Sequence, residues 1–105
     1  MQTSGHGVFA SNTKGRLINC VITQCGNSGI LCSINALIEL EGDQTKVDGN
    51  VTSGTSFYFG LYTYAYDTSS IIHLLFPLTK ESVSTNNHNG QNYNSDGTIE
   101  TVGSF

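Results

Sequence analysis

The sequence predicts an all-β chain: a short solenoid of about three to four strand-and-turn coils, followed by an irregular polar C-terminal segment. Three observations carry that expectation. A glycine-led apolar pattern recurs at a spacing of 22 residues, Gly7 to Gly29. Apolar and polar residues alternate with period two, the mark of a strand with one buried face. Charged residues make up only 11% of the chain, against about 25% in an average globular protein. Ser, Thr, Asn and Gly take their place, a composition that suits tight turns and does not suit helices.

The repeat can be read element by element. Gly7-Val8-Phe9-Ala10-Ser11 recurs as Gly29-Ile30-Leu31-Cys32-Ser33. Each is a glycine, two bulky apolar residues, a small residue and a serine. A second apolar segment follows each, Arg16 to Ile22 and then Ala36 to Glu41, and a polar turn closes each unit, residues 24–29 and 47–54. A looser third copy runs through Tyr58-Phe59-Gly60-Leu61-Tyr62-Thr63-Tyr64 and Ser70-Ile71-Ile72-His73-Leu74. Thr98-Ile99-Glu100-Thr101-Val102 reads as a last strand. The segment from Ile30 to Leu40 is not helical, because Ile38 and Leu40 alternate with Glu39 and Glu41.

This period, with short strands and Gly/Asn turns, is that of a parallel β-helix. One coil cannot bury its own inner face, so coils stack and equivalent side chains form columns. Val8 is expected beneath Ile30, Ala10 beneath Cys32, and Leu17 or Ile18 beneath Leu37 or Ile38. Residues 1–75 carry the coils. Residues 76–105 carry an apolar turn, a long polar loop and the terminal strand, within the same domain or as a docking arm. Residues 82–97 are nearly all polar and read as a surface loop or arm.

Composition also bounds function. Formal net charge is −4, with four cations, so the basic patch of a nucleic-acid binder is missing. No apolar run has the length of a transmembrane helix, and membrane insertion is not expected. The first residues have no basic region followed by an apolar stretch, so no signal peptide is expected. Cys20, Cys25 and Cys32 are odd in number and lack zinc-ligand spacing. They read as small buried residues, and neither a metal nor a cofactor is expected. Asn50-Val51-Thr52 fits the glycosylation sequon and is set aside with the signal peptide.

Catalytic chemistry finds little to use, and no catalytic residue is assigned. Glu39 and Glu41 share a strand face at about the 5–5.5 Å that a retaining glycosidase needs. Acids on an outer face are also the ordinary way to keep a strand soluble. His6, His73 and His88 are scattered, and no nucleophile motif surrounds them. The binding or interface candidates are aromatic and apolar. On an unbroken strand Tyr58, Tyr62, Tyr64 and Tyr66 would share one face, and tyrosine suits sugar rings and protein interfaces alike. Leu74, Leu75, Phe76 and Leu78 surround the only proline and form the most apolar run, a candidate intersubunit contact.

The pattern G-V-F-A-S…L-I-N-C-V-I-T-Q-C-G-N-S-G-I-L-C-S…A-L-I-E-L, residues 7–40, resembles the coils of right-handed parallel β-helix proteins of the pectate-lyase-like type. The resemblance covers roughly residues 5–54, with a weaker echo to about 75. It implies either a carbohydrate-active enzyme or a trimeric fibre or spike on a phage virion. The short chain and the missing acid/base set favour the second. The expectation is a non-enzymatic structural or binding module of a tail fibre, spike or decoration component. It would be a homotrimer or part of a larger virion assembly, put together in the host cytoplasm, with a surface glycan as a further ligand. A fragment of a polysaccharide-degrading β-helix enzyme and a cell-surface adhesin module are the alternatives.

Overall fold

The computed structural model describes residues 3–56, 58–63, 70–94 and 98–103. Ten strands account for most of the regular structure: β1 Val8–Ser11, β2 Lys14–Ile18, β3 Val21–Thr23, β4 Ile30–Ser33, β5 Leu37–Glu41, β6 Lys46–Asp48, β7 Leu61–Thr63, β8 Ile71–Leu75, β9 Ser84–Thr85 and β10 Thr98–Val102. Among the described residues the one α-helix, α1, is a single turn, Lys80–Val83, capped by the Thr79 side chain, and His88–Gly90 makes a short 3-10 turn. The chain is all-β in class.

The strands form three sheets in which every pairing is parallel: β1-β4-β7, β2-β5-β8-β10 and β3-β6-β9. The chain therefore visits the three sheets in the same order three times before β10 joins the second sheet. Parallel neighbours cannot be joined by a tight hairpin. Here the intervening chain goes through the other two sheets.

The expected columns appear in the first sheet. Val8 lies beside Ile30 and Ala10 beside Cys32, with Leu61 and Thr63 next in line. In the second sheet Leu37, Ile38 and Leu40 align with Ile71, Ile72 and Leu74, as the repeat predicts. The first pairing of that sheet differs from expectation. Leu17 meets Leu40, Ile18 meets Glu41, and Ile38 meets Gly15. The reason is in the corners: residues 12–13 separate β1 from β2, whereas residues 34–36 separate β4 from β5. The extra residue turns the 22-residue spacing of the first sheet, Val8 to Ile30, into 23 in the second, Leu17 to Leu40, where matching the apolar pairs by type gives about 20. The apolar segment Arg16 to Ile22 is also two strands, broken where Asn19 adopts a positive φ of 52°.

The core lies between the sheets. Ile30, Leu40, Val47, Leu61, Ile72, Leu74 and Val83 are fully buried there. Gly7, Gly29 and Gly60 open equivalent strands for a reason other than a positive φ. A Cβ on Gly7 would come within 2.6 Å of Ile22 Cγ2, and one on Gly29 within 2.5 Å of Val47 Cγ1. Cβ-free backbone is what lets the strand start against the neighbouring sheet.

The polar stretch after Ser82 is not a free loop. β9 pairs with β6, and Asn87 and Asn94 are buried. Asn50 and Asn87 do the same work one level apart. Cys25 N–H donates to Asn50 Oδ1 (3.0 Å) and Asn50 Nδ2 donates to the Ile22 carbonyl (3.1 Å). Asn50 N–H in turn donates to Asn87 Oδ1 (2.9 Å), and Asn87 Nδ2 to the Val47 carbonyl (3.4 Å). Asn94 closes a similar pair with Thr63 N–H (3.0 Å) and the Thr63 carbonyl (2.7 Å). The buried amides accept from the corner N–H groups of Cys25 and Asn50 and donate back to the strand carbonyls of Ile22 and Val47, tying each corner to the strand before it. Asn50, the sequon asparagine, is thus an interior side chain.

Candidate functional site

Two surface features gather chemistry-bearing side chains. The first is an aromatic patch on the outer side of the first sheet. Period-two alternation sends Phe9, Leu31 and Tyr62 outward from adjacent strands in register. The segment before β7 then folds back over them. Gln91 Nε2 donates to the Thr55 carbonyl (3.0 Å) and the Tyr58 carbonyl (2.6 Å), and Phe59 N–H donates to Ser28 Oγ (3.3 Å). Held this way, Tyr58 sits edge-on to Tyr62 at 6.4 Å between ring centroids, and Phe59 lies 5.7 Å from Tyr62. Leu31 and Tyr62 become buried, while Phe9 stays 62% exposed.

His6 belongs to this patch. Its ring stands edge-on to Tyr58 (5.0 Å) and to Phe9 (5.8 Å). Ser28 N–H donates to Nδ1 at 3.1 Å, which requires a lone pair there and places the proton of the neutral ring on Nε2. Partial burial holds the imidazole below its ordinary pKa.

The tyrosine candidates are therefore only partly assembled as predicted. Tyr58 and Tyr62 do meet, but through a bend at Gly60 and not along one strand, since β7 begins at Leu61. Tyr64 and Tyr66 lie outside the described residues. Of the apolar run, Leu74 and Leu78 are buried in the chain's own core, Leu75 is half-buried, and Phe76 is 57% exposed. That leaves Phe76, with part of Leu75, as the run's outward apolar surface. His6, Phe9 and Phe59 were missed as patch members. Their signal was the shared outward parity of Phe9 and Tyr62 once the repeat is aligned.

The second feature is a charged row across the outer face of the second sheet. Arg16, Glu39, His73 and Glu100 occupy one column on β2, β5, β8 and β10. Arg16 binds Glu39 at 2.9 Å and Glu41 at 3.3 Å, and His73 Nε2 lies 3.4 Å from Glu100. The hydrogen bond and charge of Glu39 raise the Arg16 pKa, so the cation is permanent. Both carboxylates of the predicted acid pair are thus engaged by one guanidinium.

The cysteines divide. Cys25 and Cys32 are buried, and burial pushes the Cys32 thiol up to about 12, so it stays protonated. Cys20 departs from the expected burial: it is half-exposed at the corner after β2, with Sγ 3.5 Å from the Ile18 carbonyl. Among the described residues, no group of three His, Cys, Asp or Glu side chains gathers as metal ligands would, and no helix is long and apolar enough to cross a membrane.

No family model, curated protein or solved structure matches the chain.

Proposed function

We propose that the chain is a structural assembly module, a short parallel β-helix whose job is to dock onto like units in a larger particle, in the manner of a virion fibre or spike. The repeated visit to three parallel sheets supports reading the strands as stacked coils. One observation carries the assembly reading. The three strands that begin the sheets, β1, β2 and β3, each expose a bulky apolar residue: Phe9 at 62%, Ile18 at 54% and Val21 at 50%. Three such residues on neighbouring edges form the type of surface that marks an interaction site. The aromatic patch adjoins it through Phe9, and it is the surface a lateral, trimeric contact would use.

The enzyme alternative loses ground because Glu39 and Glu41 are both paired with Arg16 and the Cys32 thiol is locked protonated. The test is the solution mass of the chain against that of a variant with Phe9→Ser, Ile18→Ser and Val21→Ser together. Self-association of the parent and loss of it in the variant support the reading. A parent that stays a monomer of 11.3 kDa at all concentrations, or turnover of acidic polysaccharides by the parent, overturns it.

A further inference from the structure

We infer that the partner of the exposed first edge is the last edge of a second copy, with β10 of one chain pairing parallel to β2 of the next. The inference rests on the assembly reading above and names its partner. β2 and β10 are the two outer strands of the second sheet. Both are five residues long, and each carries one charge at its centre, Arg16 on β2 and Glu100 on β10.

The charged row makes the two edges complementary. Within one chain the column runs Arg16, Glu39, His73, Glu100. It starts at a cation and ends at an anion. Continuing the sheet into a second copy in the same register sets Glu100 beside the next Arg16 and preserves the alternation. The neighbouring columns agree. Val102 would lie beside Ile18, whose side chain is largely exposed in the single chain, and Ile99 would lie beside Gly15, which has no side chain to oppose it. Free backbone groups on an edge strand supply the pairing energy.

The symmetric alternatives fail on the same residues. An antiparallel β2–β2 pair centred on the strand would oppose Arg16 to Arg16, and a β10–β10 pair would oppose Glu100 to Glu100. Like charges directly opposite are destabilising. The contact is therefore head-to-tail, and such a contact propagates into a ring or a filament.

Disulfide trapping reads the geometry. In a Cys20→Ser background, chains carrying Ile18→Cys are mixed with chains carrying Val102→Cys and oxidised. Adjacent strands lie about 4.8 Å apart, within the Cα separation a disulfide accepts. The expected product is a mixed dimer linked 18 to 102, in excess over 18–18 and 102–102 dimers. Charge reversal gives a second reading. Glu100→Lys and Arg16→Glu should each weaken self-association about tenfold or more, and mixing the two should restore association between them. A chain that is monomeric throughout overturns both the assembly reading and this one. An oligomer that gives symmetric or no cross-links, or that the mixed reversals do not restore, overturns the head-to-tail contact and leaves the assembly reading standing.

Discussion

β2 and β5 are neighbours in one sheet, run parallel and have the same length, yet their environments differ sharply. In β5, Ile38 and Leu40 are buried and the residues between them are half-covered. In β2 only Leu17 is even partly buried, and Ile18 stands in solvent. The sequences do not explain this, since both strands mix apolar and charged residues. Position explains the inward pair, Leu17 half-buried against Leu40 fully buried, since β5 has a strand on either side and β2 has β5 alone, while Ile18 lies on the outer face with Arg16. In a parallel sheet an inward residue's burial depends on whether a strand flanks it on one side or on both.

Matched substitutions sharpen that contrast. Ile38→Asp buries an unpaired carboxylate in the core, costing several kcal/mol, enough to unfold a domain whose total stability is about 5–15 kcal/mol. Ile18→Asp, one strand away, should leave the far-ultraviolet circular dichroism of the dilute chain unchanged. If the two behave alike, the Ile18 side chain is not exposed on the outer face of the dilute chain.

The corners come next in size. Asn50→Ala removes two buried hydrogen bonds, from Cys25 N–H and to the Ile22 carbonyl, a loss of about 1–3 kcal/mol. Urea unfolding measures it, and a loss below 0.5 kcal/mol would mean that water substitutes for the amide.

The opposite sign is expected at Ile34. This exposed β-branched residue has φ of 50°, a conformation that costs an L residue about 1–2 kcal/mol. Ile34→Gly should raise the melting temperature by several degrees, and a fall would show that the side chain makes contacts worth more than its strain.

The smallest effect is pH-dependent. Burial lowers the His6 pKa in the folded chain below its ordinary 6.5, so the unfolded chain takes up the proton first as pH falls. The contribution of His6 to stability is complete above about pH 6.5 and is lost as pH drops through the lower folded value. Melting curves across that window should shift downward with acid in the parent and less so in His6→Gln.

Much of the fold was legible because its columns repeat. Gly7 to Ser11 and Gly29 to Ser33, and Ala36 to Leu40 with Ser70 to Leu74, align by eye and pair as read. Less legible were the three-residue strands β3 and β6, each with one deeply buried apolar residue, Ile22 or Val47, too little for a period. Corner length also escaped, and with it the register of β2. The polar stretch after Ser82 misled for a physical reason: Asn87 and Asn94 are inside because the backbone needs their amides there, and hydropathy cannot register that. The candidate site was half legible. Its tyrosines stood out, while its histidine and phenylalanines became visible only when the sheets brought them together.

The most direct test is amide hydrogen exchange of β2 and β5, followed residue by residue at low and at high protein concentration. The account predicts that β5 amides are protected at both, and that β2 amides exchange fast in dilute solution and gain protection as chains associate. β2 amides as protected as those of β5 in the dilute monomer, or unprotected at every concentration, would contradict it.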